Sequence, residues 1–193
     1  MKKLLSYIFL IVLFSAFLHA QPEKNLDIFF LLADRVYSDL KQDMPAIVKV
    51  EQENPENYRI ISNRFLFDIS KDGKQVSDSS ENIFQLLIQK AEVSYEYTDG
   101  INIIGGYDLE RKVLLEGNYM IRENGKITSL DEFSKTYTDT VGYEMVETLE
   151  TSGLAFTHSE MPSGSFFSSL LEPVIAVAAI VTTIYLLFTV RSN

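Results

Sequence analysis

The order of apolar and polar residues divides the middle of the chain into helices and strands. Residues 25–41 repeat apolar side chains at helical spacing, which is typical of an amphipathic helix, and Asn25 is suited to cap it. The apolar positions of this repeat are Leu26, Phe29, Phe30, Ala33, Val36 and Leu40. A second helical repeat opens at residues 54–57 and ends at Gly73, because glycine favours the left-handed conformation that closes a helix.

Two short strands, a third helix and a longer strand are predicted around these elements. The segments 46–50 and 75–77 are short and favour β-structure. Ser80 is suited to cap a helix whose apolar residues share one side. These residues are Ile83, Phe84, Leu87 and Ile88. Residues 90–97 then alternate cleanly, which predicts a strand with one face in water.

A β-hairpin is predicted next. Residues 111–122 alternate as a strand, Asn124-Gly125 suits a tight turn, and the returning strand begins near Lys126. The in-register apolar positions are Val113, Leu115, Tyr119 and Ile121. A final short helix is predicted over 139–150, on Val141, Met145 and Leu149. Together these elements predict a mixed α/β (α+β) domain with a mixed sheet and helices on one side.

The first residues of the chain have the pattern of a secretory signal. Lys2 and Lys3 precede an apolar run over residues 4–18, and cleavage is predicted between Ala20 and Gln21. Leu18 is larger than a processing peptidase prefers at its position, so an uncleaved anchor helix is the alternative. Both alternatives export the part of the chain that follows.

A second apolar segment, from Leu170 to Val190, predicts a transmembrane helix. As a helix it would be about 31 Å long, which matches a hydrocarbon core. Pro173 falls in the first turn, where a missing N–H costs least, and Arg191 follows the segment. Basic residues beside apolar spans stay in the cytoplasm, so the chain between the two segments is predicted to be extracytoplasmic.

The predicted organisation therefore has five parts. They are a signal peptide (1–20), an extracytoplasmic α/β domain (21–150), a membrane-proximal tether (151–169), a transmembrane helix (170–190) and a cytoplasmic tail (191–193). The tether is predicted from its serine, glycine and proline content. The expected location is a bacterial inner membrane, with the main domain in the periplasm.

Helix association within the membrane is also compatible with the sequence. The pairs Ala178 with Thr182 and Ala179 with Thr183 have the small-xxx-small spacing that lets two helices approach closely. This spacing allows a homo-oligomer through the transmembrane helix. Lipid-facing residues of no special role are the favoured interpretation, because alanine is common in such spans.

Charge and cysteine content limit the partners and the chemistry. All 27 acidic residues lie between Glu23 and Glu172, whereas 3 of the 17 basic residues, Lys2, Lys3 and Arg191, lie outside that part. An acidic domain repels phosphate, which excludes nucleic acid as a partner, and its charge is expected mainly to keep it soluble. A basic protein partner or a cation is the alternative. The sequence has no cysteine, which excludes disulfides, cysteine nucleophiles and lipidation at a lipoprotein site.

Catalytic and metal sites find little support in the sequence, and no catalytic, cofactor-binding or metal residue is predicted. His158 falls in the predicted tether, which cannot hold an imidazole as a Ser-His-Asp triad requires. Residues 68–73 lack the alternating acidic pattern of a calcium loop and are better explained as a helix end. Gly105-Gly106 lacks the lysine of a phosphate loop. Four tyrosines are expected to be half-buried packing residues, with an aromatic platform as the alternative; they are Tyr95, Tyr97, Tyr107 and Tyr119.

The pattern of elements resembles a class of small exported domains. The helix at 32–40, the short strand after it and the late hairpin at 123–126 are similar to the TolB amino-terminal, CsgG and LpoB kind of envelope domain. The resemblance covers about residues 26–137 and implies assembly, secretion or activator roles without enzyme activity. Two departures are the absence of a lipidated cysteine and the carboxy-terminal apolar segment.

The function expected from the sequence is that of a non-enzymatic, membrane-anchored envelope protein that binds or scaffolds another envelope protein. One alternative is a carboxylate-dependent hydrolase of cell-wall glycan. Another is a surface protein with a cleaved sorting tail, because Leu171-Glu172-Pro173 and the apolar run after it are similar to part of the PEP-CTERM tail.

Overall fold

The structure is a computed structural model, and it describes residues 21–98, 107–162 and 166–190. The predicted signal peptide with Ala20, the Gly105-Gly106 pair and Arg191 lie outside the described residues. Gln21 is the first described residue, and it is exposed. The chain divides into two compact units, Met1–Glu160 and Met161–Asn193.

The first unit contains helices and strands in mixed order. Helix α1 (Asn25–Leu40) is followed by strand β1 (Ile47–Gln52), helix α2 (Arg59–Lys71) and the two-residue strand β2 (Gln75–Val76). Three long strands come next, and they are β3 (Ile83–Tyr97), β4 (Asp108–Glu123) and β5 (Lys126–Gly142). The one-turn helix α3 (Val146–Leu149) follows them, and short 3₁₀ turns occur at Glu56–Tyr58, Tyr143–Met145 and Ala155–Thr157.

The five strands form one sheet in the order β2-β1-β3-β4-β5. Strand β1 runs parallel to both β2 and β3, whereas β3, β4 and β5 are antiparallel to their neighbours. Helix α1 packs on β4 and β5, and α2 packs on α1 and β2. The prediction of a mixed α/β fold with a sheet and helices is confirmed.

The hairpin between β4 and β5 turns at the predicted dipeptide. Asn124 has φ 48° and Gly125 has φ 79°, so both central residues adopt the left-handed conformation that a tight hairpin turn requires. Gly73 has φ 77° and ends α2 as predicted. These turns form because asparagine and glycine tolerate positive φ better than other residues do.

The prediction of a third helix capped by Ser80 is wrong, because Ile83 opens the long strand β3. A register shift between Ile88 and Lys90 leaves Gln89 without a partner in β4, as in a β-bulge. Buried positions therefore change from even to odd numbers along the strand. They are Phe84, Leu86 and Ile88 before the bulge, and Ala91, Val93 and Tyr95 after it.

Asn25 does not act as the predicted cap, because α1 begins after Lys24 and no side chain of the described residues caps it. Its side chain is instead fully buried among polar partners. The predicted helix over 139–150 is also wrong in its first part, because β5 continues to Gly142. Only the second part of that segment is helical, over Val146–Leu149.

The first unit continues beyond residue 150, where the sequence predicts the start of a tether. Phe156 is buried, and its ring meets those of Phe29 and Tyr58 edge to face at centroid distances of 5.0 and 5.7 Å. The Thr157 hydroxyl donates to the carbonyl oxygen of Leu154 at 2.8 Å. Residues 151–160 therefore belong to the folded unit.

The second unit contains helix α4 (Phe166–Val190). Leu170, Pro173 and Val190, which the sequence assigns to a membrane anchor, all lie in this helix. Its described apolar side chains, such as Val174 and Leu187, are exposed. Within the described residues, no helix qualifies as a membrane span by length and hydropathy.

Candidate functional site

A polar groove lies between α1 and α2. Its volume is about 310 Å³. The lining residues are Asp34, Tyr37, Ser38 and Lys41 of α1, and Asp68, Lys71 and Asp72 at the end of α2. Both helices are amphipathic and turn their apolar faces to the core. The charged residues beside these faces are therefore brought together along the groove.

An arginine joins two carboxyl groups at one end of this groove. The Arg64 side chain donates to both carboxylate oxygens of Asp34, from Nε at 2.6 Å and from Nη2 at 2.8 Å. Oδ2 of Asp68 lies 3.7 Å from Nε of Arg64, which is too long for a hydrogen bond. This buried oxygen has no hydrogen-bond partner among the described residues.

The two carboxyl groups differ in proton affinity. Burial raises the pKa of Asp68, the neighbouring Asp34 raises it further, and the result is about 6. Burial alone would raise the pKa of Asp34 too, but hydrogen bonds from Arg64 and Asp68 outweigh it, so this pKa is lowered. When Asp68 carries a proton, its carboxyl group can donate a hydrogen bond to the Asp34 carboxylate. The buried carboxyl group of Asp68 then has a hydrogen-bond partner.

Tyr37 lines the same groove and is not a ready proton donor. Burial and the nearby charge of Asp72 raise the pKa of Tyr37 to about 12. Its hydroxyl donates to Oδ2 of Asp72 at 3.4 Å, a long and weak hydrogen bond. In the described part of the chain, no three histidine or carboxylate side chains are grouped so that they could hold a metal ion.

Arg64 of α2 occupies both oxygens of Asp34 in α1. The neighbouring Asp34 also raises the pKa of Asp68 in α2. The arginine and the two carboxyl groups therefore join the two helices.

A second polar cluster lies at the end of the sheet opposite the hairpin turn. The Arg111 side chain is fully buried and bonds to Asp139 of β5. Its Nη1 donates to the carbonyl oxygen of Glu23 and to Oδ1 of Asn25, both at 2.8 Å. Asn25 in turn donates to the Tyr95 hydroxyl at 2.9 Å. Every group in this cluster is used to hold segments of the domain together.

The sheet presents apolar residues on the face that the core does not use. Strand pairing places Gln85, Met120 and Leu130 in one row across β3, β4 and β5. Leu130 is 68% exposed, and Ile127 near the hairpin turn is 56% exposed. We call Ile127, Met120 and Leu130 the hairpin patch. Exposed apolar side chains that cluster in this way are typical of protein contact surfaces.

The outer edge of β5 is a further candidate surface. This strand of 17 residues ends the sheet, and among the described residues no strand pairs with its outer side. Its last part presents a row of exposed hydroxyl-bearing residues. They are Ser134, Thr136, Thr138 and Thr140.

His158 and the four tyrosines that the sequence analysis considers for chemistry contact other residues of the domain. His158 is exposed and lies beside Glu150, with Nδ1 at 2.7 Å from a carboxylate oxygen. Tyr95 is buried, Tyr97 meets Tyr107 edge to face at 5.8 Å, and Tyr119 lies near Phe84. The tyrosines therefore pack separately instead of forming one platform.

The small residues of α4 satisfy hydrogen bonds within the helix. Thr182 Oγ1 donates to the carbonyl oxygen of Ala178, and Thr183 Oγ1 to that of Ala179, each at 2.8 Å. These bonds use the hydroxyl protons locally, as is common for threonine in helices. Association through this face stays a prediction.

From the sequence, Arg64 and Arg111 receive no role, and Asp68 is interpreted only as part of a helix end. Arg64 and Asp68 are separated by one helical turn, which is a spacing that signals an ion pair, but their contact with Asp34 joins two helices. Arg111 alternates in register with Val113 and Leu115, so its position on the buried face could have been deduced.

Comparisons with known proteins give only weak likenesses. No protein-family model matches the chain, and no curated protein matches it. A minor lipoprotein from Acinetobacter baumannii has a similar structure with a TM-score of 0.36 and 11% identity, over 53% of this chain and 69% of that one. The rare lipoprotein B from Shewanella oneidensis has a TM-score of 0.33 and 10% identity, over 76% and 94%. The chain thus weakly resembles small lipoproteins, and scores of this size carry no argument about function.

Proposed function

We propose that this chain is a non-enzymatic, membrane-anchored protein of the bacterial envelope whose α/β domain binds another envelope protein. The observation that carries the proposal is the hairpin patch. Ile127 and Leu130 are large, apolar and exposed on a domain that is otherwise rich in acidic residues. A partner that covers this patch removes apolar surface from water, which is the main driving force of protein association.

The charge of the domain favours a partner with a basic surface. The chain carries 27 acidic and 17 basic residues, and complementary charge steers association and suppresses wrong partners. The patch lies beside Asp131 and Glu132, which line a surface pocket together with Leu130. An apolar contact with an acidic rim is thus the surface that a basic envelope protein would meet.

The membrane anchor rests on the apolar segment from Leu170 to Val190 and on the signal-like start of the chain. The anchor would hold the domain outside the cytoplasm. A reporter enzyme that is active only in the periplasm, inserted after residue 162 of the full chain, tests this part. Activity supports the topology, and activity only of a cytoplasmic reporter at the same position contradicts it.

The partner is tested by photo-crosslinking in cells. A photoreactive phenylalanine replaces Leu130 in the full chain, and the matched control replaces Phe67, which is 55% exposed on α2. We expect an adduct with an exported protein from position 130 that position 67 does not give. The substitution Ile127→Asp should reduce the yield of that adduct. An adduct pattern that is equal at both positions would contradict the proposal.

The alternative of a cleaved sorting tail makes a distinct prediction about mass. The mature protein would then lack the residues after about Glu172, which mass spectrometry of the chain from cell membranes would detect directly.

A further inference from the structure

We propose that the groove between α1 and α2 binds a small zwitterion, whose ammonium group contacts Asp68 and whose carboxylate contacts Lys41 and Lys71. The two charges of this ligand would lie about one helical turn apart. The inference goes beyond the proposed function and does not depend on it, because the groove is formed by helices and the hairpin patch by strands.

The state of Asp68 is the first sign that the groove receives a ligand. This residue lines the groove although it is only 7% exposed, and its buried Oδ2 has no hydrogen-bond partner among the described residues. Burial raises the pKa of Asp68 to about 6, so a proton satisfies the carboxyl group in mild acid and is lost near neutral pH. A buried carboxylate without a donor is costly, and an N–H donor in the groove would remove this cost.

A second carboxylate faces the same space. Burial raises the pKa of Tyr37, and the charges of Asp72 and Asp68 raise it further, so both carboxylates lie close to the Tyr37 hydroxyl. The hydrogen bond from this hydroxyl to Asp72 is long, at 3.4 Å. Asp34, in contrast, is bound through both oxygens by Arg64. The negative charge that is open to a ligand therefore belongs to Asp68 and Asp72.

Two lysines supply positive charge to the same groove. Lys41 directly follows α1, and Lys71 is the last residue of α2. In the described part of the chain, neither ammonium group forms an ion pair with a carboxylate. Asp68 and Lys71 are three residues apart on one helix, which places their Cβ atoms about 5 to 6 Å apart. A ligand of this length can therefore reach a carboxylate and an ammonium group together.

The balance of charge determines the class of ligand. Apart from the pair of Asp34 with Arg64, the groove holds two carboxylates and two ammonium groups. The lysines would repel a metal ion, and the aspartates would repel a phosphate, whereas a zwitterion places an opposite charge against each pair. The volume of about 310 Å³ is at the lower end of the range for ligand pockets, which suits a small molecule.

The ionisation of Asp68 should make binding depend on pH. The charged and titratable groups around it are Asp34, Tyr37 and Lys41 from α1, and Arg64, Lys71 and Asp72 from α2. Only ionised Asp68 attracts an ammonium group. With a pKa of about 6, about a tenth of Asp68 is ionised at pH 5 and nearly all of it at pH 8. The affinity for a zwitterion should therefore rise about tenfold over this range.

A titration of the full chain in detergent, followed by saturation-transfer NMR of the ligand, tests the proposal. The probe is 4-aminobutanoate, and butylamine and butanoate are the control ligands that carry one charge each. At pH 8 we expect 4-aminobutanoate to bind about tenfold more tightly than either control ligand, because it forms both ion pairs. Its affinity should fall about tenfold at pH 5.

Variants of the groove separate the two ends of the ligand. Asp68→Asn should weaken the binding of 4-aminobutanoate about tenfold at pH 8 and should remove the dependence on pH. Lys41→Gln/Lys71→Gln should weaken binding to the level of butylamine and should leave the dependence on pH in place. Asp43→Asn and Lys112→Gln are the matched controls, since both residues are exposed and lie outside the groove. Circular dichroism shows whether each variant is folded.

The outcomes decide the proposal. Preferred binding of 4-aminobutanoate that is lost in the groove variants and kept in the matched controls supports it. Equal affinity for 4-aminobutanoate and butylamine, or for 4-aminobutanoate and butanoate, overturns it, because only one charge would then be recognised. Unchanged binding in folded Asp68→Asn overturns it, and so does the absence of saturable binding of 4-aminobutanoate to the natural protein at pH 8.

Discussion

The guanidinium of Arg111 forms a bidentate ion pair with the carboxylate of Asp139. The Arg111 side chain is completely excluded from solvent. Nε lies 2.8 Å from Oδ1, and Nη2 bonds to Oδ2. Nη1 donates to Glu23 and Asn25, so strand β4 is joined to β5 and to the start of α1. A buried charge of this kind is tolerated because each of its three nitrogens donates at least one hydrogen bond.

Removal of the Arg111 charge should destabilise the domain strongly. The substitution Arg111→Met keeps an unbranched side chain but leaves Asp139 and Asn25 without their partner. We expect the free energy of unfolding to fall by about 3 to 5 kcal/mol, as for other broken buried ion pairs. Urea unfolding of the full chain, followed by circular dichroism, measures this loss.

Two control variants separate the buried pair from charge in general. Arg59→Met removes an exposed arginine that is paired with Glu56, and it should change stability by less than about 1 kcal/mol. Arg111→Met/Asp139→Leu removes both partners and should be less damaging than Arg111→Met alone. Equal losses for Arg111→Met and Arg59→Met would contradict the role assigned to Arg111.

The free energy of unfolding should decrease as the pH rises from about 4 to about 7, because of Asp68. Its pKa is raised to about 6 in the folded protein, from 3.8 for an ordinary aspartate, so the folded state holds a proton that the unfolded state has lost. A raised carboxyl pKa therefore weakens folding as the pH passes through this window. The full effect of two pKa units is about 3 kcal/mol, and we expect about 1 to 2 kcal/mol because Arg64 and solvent screen the charge.

The variant Asp68→Asn tests this cause, because an amide can donate to Asp34 at every pH. The unfolding midpoint of this variant should vary less between pH 5 and pH 8 than that of the natural protein, and it should be higher at pH 8. Asp43→Asn is the control, since Asp43 is exposed. A pH profile that is unchanged in Asp68→Asn would show that another group causes the dependence.

Gly117 permits the close approach of Phe133, its partner in β5. A Cβ atom at this position would lie 2.7 Å from Cζ of the Phe133 ring and would also overlap the carbonyl oxygen of Leu87. Since backbone cannot move aside cheaply, Gly117→Ala should destabilise the domain by about 1 to 3 kcal/mol. Gly142→Ala is the matched control, because its Cβ would meet only the side chain of Glu144. Thermal unfolding of both variants should separate them clearly.

The hairpin turn should be sensitive to the loss of Gly125. Its φ of 79° is a conformation that alanine adopts only with strain, so Gly125→Ala should cost about 1 kcal/mol. Asn124→Gly should have a small effect, because glycine accepts the φ of 48° at that position. Equal melting temperatures for Gly125→Ala and the natural protein would exclude a role of this turn in stability.

The sequence predicts those elements whose cause is local. Asn124-Gly125 determines its own backbone conformation, and the amphipathic repeat of α1 is complete within one helix, so both are recognised without knowledge of the rest. The first half of β3 is different. Ile83 and Leu87 lie on the face opposite to the buried Phe84 and Ile88 but are also apolar, so the four residues together imitate a helical repeat.

The candidate sites depend on contacts between distant residues, which the pattern along the chain does not contain. Asp34 and Arg64 belong to different helices, and Arg111 meets Asn25 across 86 positions. Phe156 and Thr157 follow a stretch rich in small and polar residues, yet they are buried because the core near Phe29 and Tyr58 accepts them. Composition identifies such a stretch as a linker, whereas tertiary packing decides the outcome.

The amide of Asn25 donates to the carbonyl oxygen of Thr157 at 2.8 Å, which joins positions 132 residues apart. The first and last segments of the first folded unit therefore lie side by side and are hydrogen-bonded to each other. Fraying at either end breaks the same bond and releases the other end, so the two ends should exchange their amide hydrogens together rather than independently. A tensile load applied to both ends would be carried here by the bond between Asn25 and Thr157 together with the bond from Arg111 to Glu23.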